Sequence, residues 1–151
     1  MENYNVFISY RGSSSGGFLG KEIYTDLRHC NLDAKESAIV PFFAPACIQK
    51  GENFKQVIHD VIKNVSCVIL ILSPSFFENC VQEDDMVRYE LEEALSNPNI
   101  TFIPVVMEGF CFDEELKCVE HIFTADEVYR FKHINPINHH GVYDFNTEAD
   151  V

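Results

Sequence analysis

Two kinds of hydrophobic spacing alternate along the chain. Short runs of β-branched and aromatic residues are followed by segments in which apolar positions recur every three or four residues, the spacing of one helix face. Residues 5–9 predict a first strand, and Leu19, Ile23 and Leu27 then predict a helix. Residues 38–43 predict a second strand. Pro41 removes a ladder donor there and so places it at a sheet edge. Phe54, Val57, Ile58, Val61 and Ile62 give the clearest amphipathic helix. Residues 67–73 form an apolar run of the kind buried on both faces of a parallel sheet, and Pro74 ends it. A helix over about 82–96 carries Val87, Leu91, Ala94 and Leu95 inward and stops at Asn97-Pro98-Asn99. Residues 100–106 predict a fourth strand. Beyond Gly109 the pattern weakens, with a short helix expected over 113–119 and a fifth strand over 128–131.

Strand–helix alternation around one fully apolar strand implies a parallel sheet wrapped by helices. The expected class is α/β: a flavodoxin-like five-stranded parallel sheet, order 2-1-3-4-5, with helices on both faces. The domain is expected over 1–134. The polar, aperiodic stretch 135–151 reads as a C-terminal tail or the start of a linker to a further domain. In such sheets ligands sit beyond the carboxyl ends of the strands, at the switch point between strands 1 and 3. That rule singles out two loops, 10–20 and 73–82, with the front of the helix that follows the second.

Composition narrows the partners more than the chemistry. The chain has 151 residues and a formal net charge of −13, which disfavours direct nucleic-acid or anionic-membrane binding. Without a long apolar stretch or a basic, apolar start, the expected location is cytoplasmic, with no membrane association. The six cysteines lack a C-x-x-C pair, so free thiols are expected and a metal site is not.

The loop 10–20 offers glycines for close backbone approach, a helix N-terminus behind them, and Arg11, whose planar fork suits phosphate. Its glycine spacing meets neither the dinucleotide-fold nor the P-loop fingerprint, and a flexible polar loop is the plainer reading. In the second region Glu83, Asp84 and Asp85 are explained by the dipole of the helix they open. Glu90 is different. It lies on the flank of the buried stripe, roughly 60° from its centre at 100° per residue, on the side shared with Met86. A carboxylate there is partly desolvated and aimed at the switch point, the setting in which perturbed carboxylates occur, although solvated boundary glutamates are commoner.

Taken together these residues resemble the Toll/interleukin-1 receptor (TIR) family, and specifically its bacterial-type NAD-cleaving members. Val6-Phe7-Ile8-Ser9-Tyr10-Arg11 is similar to the F-I-S-Y-R run of the opening strand, and Gly20 to Leu27 to the first helix. Phe42-Phe43-Ala44-Pro45 through Gly51-Glu52 resembles the second strand and the so-called BB loop. Val68 to Phe76 resembles the third strand with its closing serine, and Met86 to Leu91 the W-x-x-x-E-L stretch. Met86 stands where many such members have Trp, and Ala44 where an Asp often follows the second strand.

The resemblance implies cleavage of the nicotinamide–ribose bond of NAD+, to ADP-ribose or a cyclic variant, with bacterial anti-phage defence the usual setting. NAD+ would be the substrate, with no cofactor. Carried over by position, Glu90 is the catalytic carboxylate, and Tyr10, Arg11, Gly12, Phe43, Ser73 and Met86 are the substrate-binding positions. The resemblance also implies other TIR domains as partners, in a homo-oligomer or filament on activation, and a fused or separate sensor domain. Loss of nicotinamide leaves an oxocarbenium-like centre that one carboxylate can stabilise, and a pyridinium leaves without protonation. The alternative is a non-enzymatic TIR–TIR scaffold. A nucleotide-binding response module would need acidic strand ends, which Ser9-Tyr10-Arg11 and Ser73-Pro74 do not supply.

Overall fold

A computed structural model of the chain describes residues 3–12, 15–30, 39–132 and 137–139. Its elements in order are β1 (Val6–Ser9), α1 (Gly16–His29), β2 (Pro41–Phe42), α2 (Ala44–Cys47), α3 (Phe54–Ile62), β3 (Cys67–Leu72), α4 (Met86–Leu95), β4 (Thr101–Met107), α5 (Phe112–Lys117), α6 (Ala125–Lys132) and β5 (Ile137–His139). A single 3₁₀ turn, Glu78–Val81, lies between β3 and α4. The strands form one parallel sheet in the order β2-β1-β3-β4-β5. This is the expected doubly wound order, with β2 at an edge.

The central strand shows why the sheet is covered on both sides. Alternate residues of a strand point to opposite faces. Val68, Leu70 and Leu72 accordingly join the larger core with Ile58, Ile62, Leu91 and Phe131. Ile69 and Ile71 join a smaller core with Ile8, Leu19, Ile23 and Phe43 under α1. Of the helical stripe read from residues 54–62, Ile58, Val61 and Ile62 are buried and Val57 half-buried; Asn53 caps α3 through the Gln56 amide, and Phe54 is left exposed.

Two expectations need correction. Residues 128–131 are helical, not a strand, because Thr124 and Glu127 form a reciprocal capping box. The Thr124 amide donates to Glu127 at 2.8 Å and the Glu127 amide to Thr124 Oγ1 at 3.2 Å. The fifth strand is Ile137–His139 instead, paired in parallel with Val105, Val106 and Met107. It lies beyond residue 134, in the stretch read as aperiodic. The helix expected from about residue 82 begins at Met86, because Asp85 takes the capping position and accepts from the Arg88 amide at 3.0 Å. The remainder of 135–151 lies outside the described residues.

Candidate active site

At the carboxyl end of β1 the chain places Ser9, Tyr10 and Arg11 in succession, and opposite them stands the front of α4. Glu90 faces this strand end from one turn into α4. The residue keeps part of its surface open, yet protein surrounds its carboxyl group as densely as an interior atom. That places the carboxyl of a half-buried residue beside the switch point of the sheet. Burial pushes the Glu90 carboxyl up from its ordinary value to about 8, with Asp85 adding to the effect. The hydrogen bond from Ser9 and the charge of Arg11 pull the other way without offsetting it. Ser9 is fully buried, and its Oγ donates to Glu90 Oε1 at 3.4 Å.

Arg11 turns inward. With 8% of its surface exposed, it donates from Nε and Nη2 to the carbonyl of Phe76, at 3.2 and 2.5 Å. Nη1 pairs with Asp85 at 2.5 Å. The guanidinium also lies over the Phe76 ring, 5.7 Å from its centroid. One cation thus ties the end of β1 to the segment after β3 and to the cap of α4. Arg11 was expected as a phosphate ligand, and here these protein groups engage it. Asp85, at the head of α4, is its part-buried counter-ion.

The other sequence-derived positions fall around this point in different ways. Tyr10 is half-buried, and its ring packs on Phe43 at 5.0 Å between centroids and beside Gly17. Burial and the neighbouring Glu90 raise its phenol. Phe43 is buried behind Tyr10, against Tyr24 and Gly20, so it supports the wall without forming its face. Gly12 is exposed, with open space where a side chain would stand. Ser73 is fully buried at the end of β3, and its carbonyl accepts from the Phe76 amide at 3.0 Å. Met86 is half-buried at the head of α4 and packs on the larger core.

A family model of TIR domains matches residues 6–135. The chain belongs to the TIR domain family. Solved TIR structures share the fold at low identity. The TIR domain of the Toll-related receptor TRR-2 from the lower metazoan Hydra magnipapillata superposes with a TM-score of 0.52 at 19% identity, over 77% of this chain and 90% of that one. The TIR domains of the activated Roq1 resistosome, which directly recognizes the pathogen effector XopQ, give 0.57 at 16%, over 89% and 87%. A metazoan TIR-STING receptor from C. gigas gives 0.54 at 20%, over 85% of this chain and 40% of that receptor. No curated protein sequence matches this TIR domain significantly.

Among the described residues, this TIR domain has no cluster of side chains suited to a metal and no helix long and apolar enough to cross a membrane. Its six cysteines are free, and burial raises the thiols of Cys67 and Cys80 to about 11 and about 12. Both are inert, space-filling groups at neutral pH. The participants that the sequence reading passed over are Ser9, Asp85 and the carbonyl of Phe76. For Asp85 a signal existed: an Asp directly before an apolar-periodic segment is a capping residue. For the other two none did.

Proposed function

We propose that this TIR domain cleaves the nicotinamide–ribose bond of NAD+, with Glu90 as the reacting carboxylate. The observation that carries the reading is Glu90 half-buried at the switch point of the sheet, facing the end of β1 with one oxygen held by Ser9; burial raises its carboxyl. As the bond between ribose C1′ and the pyridinium nitrogen breaks, its electron pair leaves with nicotinamide and positive charge develops on the ribosyl ring. A carboxylate brought out of water opposes that charge strongly, because little solvent screens it. Ser9 fixes Oε1, and the second oxygen takes the ribose hydroxyls. Water, releasing a proton as it adds, or an adenine nitrogen of the same substrate then captures C1′, giving the linear or the cyclic product.

In this reading Tyr10, backed by Phe43, and Met86 form the walls. The exposed backbone at Gly12 takes the phosphates, and Ser73 shapes the end of β3. Arg11 keeps the charge balance near Glu90 while holding the site in shape. Self-assembly completes the site, in a setting such as bacterial defence signalling with a sensor domain upstream. Nicotinamide release by the concentrated domain, and by the domain clustered on a scaffold, tests the reading against Glu90→Gln. Release lost in the variant supports it. Equal release from wild type and variant moves catalysis away from Glu90. Silence from both, even when clustered, leaves a TIR–TIR interaction module.

A further inference from the structure

The segment after β3 that takes Arg11 is also held by Glu115 on α5. Glu115 Oε2 accepts from the Ser75 amide at 2.9 Å, and Oε1 accepts from the Phe77 amide at 3.3 Å. The Phe77 amide and the Phe76 carbonyl belong to one trans peptide, so they point in opposite directions. The carbonyl end takes the Arg11 guanidinium, and the amide end takes the Glu115 carboxylate. A cation and an anion therefore grip one peptide dipole from its two ends, each through a charge-assisted hydrogen bond.

Neighbouring geometry agrees that this segment is held in place. Ser75 adopts φ 68, in the left-handed region that a side chain disfavours by about 1 kcal/mol or more, so its surroundings must impose it. Gly109, at φ 94, lets the connection from β4 to α5 press on Pro74. A Cβ there would stand 3.1 Å from Pro74 Cγ.

We propose that Glu115 is a positioning residue for the Glu90 site. It holds the Phe76–Phe77 peptide that fixes Arg11, and Arg11 in turn fixes Asp85 at the head of the helix carrying Glu90. The inference rests on the reading of Glu90 as the reacting carboxylate. The groups facing Glu90 are Ser9, Tyr10 and Arg11 from the end of β1 and Asp85 from the head of α4. Glu115 touches none of the reacting atoms and acts only through this chain.

The test compares wild type, Glu115→Ala and the isosteric Glu115→Gln, the second serving if the first does not fold. Amide hydrogen exchange at Ser75 and Phe77 reads the grip itself, and carbon-13 titration of the Glu90 carboxyl reads its transmission without turnover. Both amides should exchange faster in the variants. The Glu90 midpoint should rise by about half a pH unit as the attraction of Arg11 weakens. For nicotinamide release, kcat should fall about tenfold with KM within about twofold. Glu115→Ala combined with Arg11→Lys should cost less than the product of the single effects, because both act through one peptide. Faster exchange with an unmoved Glu90 titration would overturn the proposal, as would effects that simply multiply. If wild type releases no nicotinamide, the catalytic reading fails, and the titration alone decides whether Glu115 reaches Glu90.

Discussion

Replacing Glu90 by glutamine should stabilise this domain, and should do so more as the pH rises. The folded protein holds the Glu90 carboxyl at about 8 against an ordinary value of 4.5. Below the lower value the group is protonated in both the folded and unfolded chains, and its burial carries no electrostatic penalty. Between the two values the unfolded chain loses its proton while the folded one keeps it, so stability falls with rising pH. Above about 8 the loss is complete. At about 1.4 kcal/mol per pH unit the interval sets a ceiling near 5 kcal/mol. Glu90 retains some contact with water, which screens part of this, and roughly 2 kcal/mol is the working expectation. Glutamine keeps the shape and an acceptor for Ser9 but has no charge to desolvate. Urea unfolding of both proteins at intervals from about pH 5 to about pH 8 would show midpoints that separate steadily. A gap of the same size at both ends would refute the reasoning, since a packing effect does not titrate.

Other consequences follow from the same geometry. The pH profile of kcat/KM for nicotinamide release should rise toward a midpoint near 8, while that of kcat should lie lower, because bound nicotinamide cation favours the charged carboxylate; coincident midpoints would argue against Glu90 as the titrating group. Asp85→Ala removes both the α4 cap and the carboxylate partner of buried Arg11, and should cost about 3–5 kcal/mol in denaturant unfolding. The same change at exposed Asp84 should stay within about 0.5 kcal/mol. Gly20→Ala sets a methyl 3.0 Å from Phe43 Cε1 and should lower stability by about 1–2 kcal/mol in thermal unfolding. Gly12→Ala, which meets open space, should be silent in that assay.

The sequence was most legible where burial is symmetrical or periodic. The run 67–72 could only be a covered strand, and Ile58, Val61 and Ile62 could only be one helix face. The switch-point rule points to Tyr10, Arg11 and the front of the helix that carries Glu90. Reading failed where local chemistry outweighed composition. Val128, Tyr129 and Phe131 suit a strand, yet the Thr124–Glu127 box starts a helix through them. The direction of the Arg11 side chain was not legible, because its partners lie 65 and 74 residues away. Glu115 was hidden for the same reason. Nothing within a helical turn of it hints that its oxygens meet backbone 38 to 40 residues earlier.

The sheet is bounded by very short strands, two residues in β2 and three in β5, and Pro41 in β2 has no amide hydrogen to offer. Among the described residues, a neighbouring chain would find almost no free backbone ladder on which to zip, so β-stacking there has little to grow from. A copy that docks on this domain must grip side chains and loops, through contacts that can let go. Copies crowded onto a scaffold through such contacts would be expected to part again without leaving behind an insoluble fibre.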